Sequence, residues 1–386
     1  MKKIILIIMT FFVGFSCAYA EEDFAPTAKS AILVDYLTGK VLYEKDADAK
    51  LAPASMTKIA SMLLIMEAID SGNLSFDDEV IISEEAASMG GSQVFLEAGE
   101  VYKVSDLLKG IAIASGNDAV VAMAEKIGGS VNGFVDMINK RLEELGCKST
   151  HFVNPHGLDA DGHYSSARDM ALIARELLKH ERILEYTSIY EEYLEKNDGT
   201  RTWLVNTNKL VRFYAGVDGL KTGFTNTAGY CLTATAKKDN FRLISVVMGE
   251  DTSENRSSDT VRLLNYGFNT FKINIFKTKD EVLGKVRVEG GKNDYAEIVL
   301  LTDATEILKN TDEVQEYNFN IKIDKIKAPV KNGDIVGTAE VYDNNGNLID
   351  EVDVTVKEEI IKASLLDYIL KNIKVIGAGK NILRQN

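Results

Sequence analysis

Ser55-Met56-Thr57-Lys58 sets a hydroxyl and an amine three residues apart. In a helix that spacing puts both on one face. A serine hydroxyl is a weak nucleophile near neutral pH and needs a base within reach. A lysine can serve once burial and neighbouring positive charge lower its pKa. Alone the pair is weak, because an N-cap serine followed by a surface lysine is spelled the same way. Two further elements add to it. Ser115-Gly116-Asn117 lies between apolar helical segments and reads as a small polar turn facing a cleft. Lys221-Thr222-Gly223 continues a strand pattern from Val217. There the lysine offers charge and the threonine a hydroxyl, and the glycine lets a ligand approach the backbone. Together they predict acyl transfer through a serine nucleophile.

These residues need elements to hold them. Pro53 disfavours helix at Ala52 and suits a first turn. Ser55 therefore falls at a helix start, where free N–H groups and the dipole favour developing negative charge. The apolar period at Ile59, Met62, Leu63, Met66 and Ile69 carries that helix to about Asp70, and Ser71-Gly72-Asn73 ends it. Before it, Ser30–Tyr36 and Val41–Glu44 read as a hairpin. Further helices are expected from Ser105 toward Gly116, over Asp118–Lys126, over Val131–Leu145 and over Ser166–His180, with Ser166 and Asp169 as a variant capping box. The period then changes to strands, at Trp203–Asn206, Val217–Gly223, Tyr230–Ala236 and Phe241–Gly249, and a helix over Asn255–Phe268 follows. Sequence-distant strands must pair into one sheet packed by helices, an α+β arrangement. From about Phe271, short alternating runs divided by Gly, Pro and Asn predict a small β-rich domain.

The chain has 386 residues, enough for two domains, with 45% apolar residues and a formal charge of −14. That balance argues against a nucleic-acid surface. Lys2 and Lys3, the apolar run Ile4–Val13 and Ala18-Tyr19-Ala20 make residues 1–20 a secretory signal peptide. Cys147 and Cys231 remain after its removal and read as semi-buried apolar residues. Four histidines without close metal spacing predict no metal site. His151, His156 and His163 cluster near a turn-rich loop and read as structural. Ile361, Leu365, Leu366, Ile369, Leu370 and Ile373 form an apolar stripe over Glu358–Ile376, beside an excess of lysine. A net-positive amphipathic helix on an acidic protein reads as a membrane-surface helix.

The order Ser-x-x-Lys, Ser-x-Asn, Lys-Thr-Gly resembles the signature of penicillin-binding proteins and class A β-lactamases. Pro53–Lys58, Ser115–Ala119, Asn154–Leu158 and Val217–Gly223 are similar to the low-molecular-mass penicillin-binding proteins that act as serine-type D-alanyl-D-alanine carboxypeptidases. The likeness spans nearly the whole mature chain. It implies a helical cluster against an antiparallel five-stranded sheet, followed by the β-rich domain. The expected division is 1–20 signal, 21–270 catalytic, 271–356 β-rich and 357–386 membrane-associating helix and tail.

The resemblance also implies roles. Ser55 attacks the carbonyl between the terminal D-alanines of a peptidoglycan stem pentapeptide, and Lys58 takes its proton. Ser115 relays a proton to the leaving amine, Asn117 orients Lys58 and the substrate amide, and Lys221 supports Ser115. Thr222 and Arg256 hold the substrate carboxylate, Gly223 binds substrate by letting it approach the strand backbone, and the N–H groups of Ser55 and Phe224 form the oxyanion hole. β-Lactams are implied as covalent inhibitors, with no cofactor. Some well-known members carry histidine where this chain has Phe224. A β-lactamase is the nearest rival, but Asn154–Tyr164 holds no glutamate for fast deacylation. An endopeptidase, a transpeptidase and a non-catalytic binding module are further alternatives; the last would be expected to lose Ser55 or Lys58.

Overall fold

A computed structural model describes residues 22–370. The expected signal peptide, 1–20, and the chain beyond residue 370 lie outside the described residues.

The central sheet is built from both ends of its domain. β1 (Ser30–Asp35) and β2 (Val41–Lys45) form the expected hairpin, and β1 also pairs with β7 (Phe241–Glu250). β6 (Gly229–Lys238) and β5 (Val217–Thr225) complete five antiparallel strands in the order β2-β1-β7-β6-β5. β5 ends the sheet, so one of its sides is free to line a cleft.

On one face lies the helical core around α1 (Lys58–Asp70). Its Lys58–Met66 stretch is buried all round, as befits a helix in the middle of a domain. Around it stand α2 (Val104–Ala112), α3 (Asn117–Gly128), α4 (Val131–Glu144) and α5 (Ala167–Leu177). The other face is covered by α6 (Ser253–Thr270), which buries Leu263 and Leu264.

Three expectations change. Trp203–Asn206 is not in the main sheet: β4 (Arg201–Val205) pairs only with β3 (Glu191–Glu195), as a separate ribbon. Its Leu194 and Leu204 are buried against the helical core, which seats the ribbon away from the sheet. Asp169 does not close a capping box. Ser166 Oγ accepts from Asp169 N at 3.2 Å, but the Asp169 carboxylate turns to Ser149 N and Thr150 Oγ1, both at 2.7 Å. The terminal helix does not begin at Glu358. Ile360 and Lys362 bridge to Val330 and Gly291, and helix covers 365–370. Ser364 and Asp367 exchange backbone–side-chain bonds at 3.2 and 2.9 Å, a capping box that sets the start. Ile361 is thereby off the helix.

The second domain follows α6 without a break. β8 (Phe271–Lys277) pairs with β11 (Ala304–Lys309). β9 (Gly284–Glu289), β10 (Tyr295–Leu300), β12 (Asn318–Ile323), β13 (Ile326–Lys327), β14 (Gly337–Tyr342) and β15 (Leu348–Val356) form a sheet in the order β12-β14-β15-β10-β9-β13. Ile307 packs into the cluster beneath α6, and Lys40 Nζ donates to the Ile307 carbonyl at 3.1 Å. These contacts join the two domains.

Candidate active site

Ser55 sits in a short 3-10 turn, Ala54–Thr57, that feeds into α1. Ala54 has φ 48°, a left-handed conformation that an L residue holds only when its surroundings impose it. Two glycines impose it. A Cβ on Gly157, itself at φ 90°, would stand 1.9 Å from the Ala54 carbonyl oxygen. A Cβ on Gly223 of β5 would stand 2.6 Å from the Pro53 carbonyl oxygen. The turn is thus gripped between a loop and the edge strand, closer than any side chain allows.

Lys58, one turn on, is fully buried. Its Nζ reaches Ser55 Oγ at 3.1 Å, Asn117 Oδ1 at 2.7 Å and the His156 carbonyl at 2.8 Å. Burial, then the charge of Lys221, hold its pKa well below the usual lysine value, against the opposing pull of Asp118. A neutral amine has two protons and one lone pair. Two of its three neighbours are carbonyl oxygens and can only accept. The lone pair is therefore left for the Ser55 hydroxyl proton.

Asn117 begins α3, and its amide donates to the Gly90 carbonyl at 2.7 Å, which fixes Oδ1 toward Lys58. Ser115 lies just before, at φ 65°. Its hydroxyl is buried and has no partner among the described residues. A buried hydroxyl left open in this way is available to a ligand. Lys221 Nζ donates to the Thr222 carbonyl at 3.2 Å and to Thr207 Oγ1 at 3.5 Å, and Thr222 Oγ1 donates to Thr207 Oγ1 at 2.6 Å. Thr207 is the site residue that sequence reasoning missed; it follows β4, and only the fold brings it to β5. Burial and then the charge of Arg256 bring Lys221 down to about 7. Arg256, in the first turn of α6, is buried with Nε unpartnered among the described residues, and burial lowers its pKa. Its guanidinium lies 5.8 Å from the Tyr230 ring centre. Phe224 is half exposed and its ring rests 4.3 Å from that of Tyr230.

The histidines hold the frame, as expected. Val153 N donates to His163 Nδ1 at 3.1 Å, so the proton sits on Nε2 and goes to Thr57 Oγ1 at 2.9 Å. Burial pushes His163 down to about 4 and His156 to about 3, which keeps both neutral. Cys147 and Cys231 are both free.

Lys58, Lys221 and Arg256 are thus all buried with depressed pKa values, and the Ser115 hydroxyl is buried without a partner among the described residues. The fold is penicillin-binding-protein-like, an antiparallel five-stranded sheet with helices followed by a β-rich domain. The D-alanyl-D-alanine carboxypeptidase family matches residues 18–252, and the C-terminal domain of penicillin-binding protein 5 matches residues 270–362. The chain belongs to this family of serine-type D-alanyl-D-alanine carboxypeptidases. It is 46% identical over 363 residues to the D-alanyl-D-alanine carboxypeptidase DacF of Bacillus subtilis, covering 92% of this chain and 93% of that one. It is 37% identical over 358 residues to DacA of Escherichia coli, covering 90% and 87%. Penicillin-binding protein 5 of Haemophilus influenzae superposes with a TM-score of 0.70 at 31% identity, covering 87% of this chain and 98% of that one.

Proposed function

We propose that Ser55 removes the terminal D-alanine of peptidoglycan stem pentapeptides through an acyl-enzyme. The reading is carried by the environment of Lys58, whose burial and cationic neighbour depress its pKa and whose amine touches two carbonyl oxygens and the Ser55 hydroxyl. The terminal carboxylate meets the Thr222 hydroxyl and the Arg256 guanidinium. The carbonyl oxygen of the penultimate residue points to the N–H groups of Ser55 and Phe224. Ser55 Oγ bonds to that carbonyl carbon as its proton passes to Lys58 Nζ. The C–N bond then breaks, and a proton from Lys58 reaches the leaving amine through Ser115, whose hydroxyl Lys221 supports. Water enters next, gives a proton back by the same route and frees the shortened stem from Ser55. β-Lactams acylate the same oxygen.

Mass spectrometry of muropeptides after incubation with pentapeptide substrate tests this reading. Loss of one D-alanine is expected, and a Ser55→Ala control should leave the substrate intact. Rapid multiple-turnover β-lactam hydrolysis without D-alanine release would overturn it.

We further propose that residues 1–20 direct export, that 21–270 act as the catalytic unit and that 271–356 form its β-rich companion. The helix from Leu365 then attaches the protein peripherally to the outer face of the cell membrane. Leu365, Leu366, Ile369 and Leu370 are all exposed, an apolar set without cover among the described residues. Truncation before Ser364 spares the Ile360 and Lys362 bridges. It should release the protein to the soluble fraction with its catalysis intact; unchanged membrane association would refute the anchor.

A further inference from the structure

The outer face of the β3–β4 ribbon carries aromatic rings that no catalytic step uses. Tyr193 and Trp203 are direct cross-strand partners, 52% and 59% exposed. Such partners stand side by side on one face. Glu195 and Arg201, ion-paired at 2.8 Å, flank them on the same face. At the ribbon tip, Lys196 Nζ donates to the carbonyl of Phe95. Phe95 is 63% exposed at φ 62°. A bulky aromatic residue in that region is strained and persists only where its surroundings over-determine it. Here the buried carboxylate of Asp118 accepts from Val94 N at 3.0 Å and Leu96 N at 3.2 Å, one on each side of Phe95. Asp118 directly follows Asn117. The Ser-x-Asn turn therefore also fixes the arch that turns Phe95 outward.

The ribbon leads into the cleft. Trp203 precedes Thr207 by four residues, and Thr207 holds Thr222 and Lys221. Four residues of chain reach at most about 14 Å. Trp203 therefore stands no further from Thr207 than the four residues between the bond to be cut and the sugar end of a stem pentapeptide can span. We infer that Phe95, Tyr193 and Trp203 form a carbohydrate subsite that stacks the amino sugars of the glycan strand bearing the stem. This inference rests on the stem-peptide reading of the cleft. Exposed rings offer flat apolar faces to sugar C–H groups, and Glu195 and Arg201 offer partners to hydroxyl and acetamido groups. A protein partner would favour a contiguous apolar patch, whereas Glu191, Glu195 and Arg201 interrupt these rings.

Trp203 is the only tryptophan of the chain, so its emission reports on this surface alone. Ser55→Ala protein titrated with a peptide-free oligosaccharide of N-acetylglucosamine and N-acetylmuramic acid should show a saturable emission change. Tyr193→Ala should weaken that binding about tenfold. In the active protein, Trp203→Ala should lower kcat/KM about tenfold on a sugar-bearing muropentapeptide. On a sugar-free acylated tripeptide ending in D-Ala-D-Ala the same change should stay within about twofold. Flat emission, or equal losses on the two substrates, would overturn the inference; flat emission with both substrates turned over would leave the ribbon to a protein partner. A protein whose emission responds but which cuts neither substrate would uphold the sugar site and sink the catalytic reading.

Discussion

The two domains treat positive charge in opposite ways. In the first, Lys58, Lys221 and Arg256 are buried, and among the described residues no carboxylate is hydrogen-bonded to any of them. In the second, no described lysine or arginine is buried. Its cations pair at the surface, as Lys285 does with Glu297 at 3.2 Å and Lys322 with Glu340. Burying unpaired charge opposes folding. The second domain has the charge pattern of a fold shaped by stability. The first keeps an arrangement that stability alone would remove, and its use is chemical.

The sharpest way to break this contrast is at the nucleophile. Ser55→Ala should lower turnover by about 10⁴-fold or more while thermal unfolding is unchanged, and intact-protein mass spectrometry should find no β-lactam adduct. Lys58→Gln should slow acylation by about 10³-fold, measured as the rate of adduct formation. In the unaltered protein that rate should rise with pH through the depressed Lys58 pKa, because only the neutral amine accepts the serine proton. A rate flat in pH would remove Lys58 as the base.

Gly223→Ala should lower kcat by about 10²-fold, since the added carbon meets the Pro53 carbonyl and shifts the turn. Lys221→Gln tests the cost of buried charge. The Lys221 pKa is about 7 in the fold and about 10.5 unfolded. Between those values the unfolded chain binds the extra proton, so this group's penalty eases as pH rises from 7 toward 10.5 and is fully present below 7. The variant should melt roughly 5 °C higher at pH 6, with the gain shrinking toward pH 10, and it should lose activity. Lys322→Gln, on the other domain, should move the melting point by about 1 °C or less. Equal effects from these two lysines would erase the contrast.

Much of this could be read from the chain because its signals are local. Ser-x-x-Lys needs one helical turn, and the Val217–Gly223 pattern needs one strand. The hairpin at Leu37–Lys40 and the α4 stop at Gly146 are likewise set by neighbours in sequence. What escaped depends on distant parts. Thr207 joins the site only because a ribbon seated on the helical core delivers it to β5. β4 was legible as a strand, but nothing in its own residues says which strand it pairs with. The apolar period runs through Ile361 and so predicts too early a start for the terminal helix, while the Val330 bridge holds Ile360 in extended chain. Ser364-x-x-Asp367 is the signal that fixes the true start. The left-handed Ala54 and Ser115 have no spelling in sequence, since neither residue type favours that conformation.

The glycine grip on the Ser55 turn also limits how such a site can change over generations. No side chain fits at Gly157 or Gly223 without moving the nucleophile. Selection for altered ligand discrimination therefore finds these two positions frozen by volume rather than by chemistry. The next residue along, Phe224, is half exposed and its ring rests against that of Tyr230. It contributes a backbone N–H that survives any side chain except proline. Variation beside the Ser55 turn is channelled there, to a side chain that can change without disturbing the backbone around it.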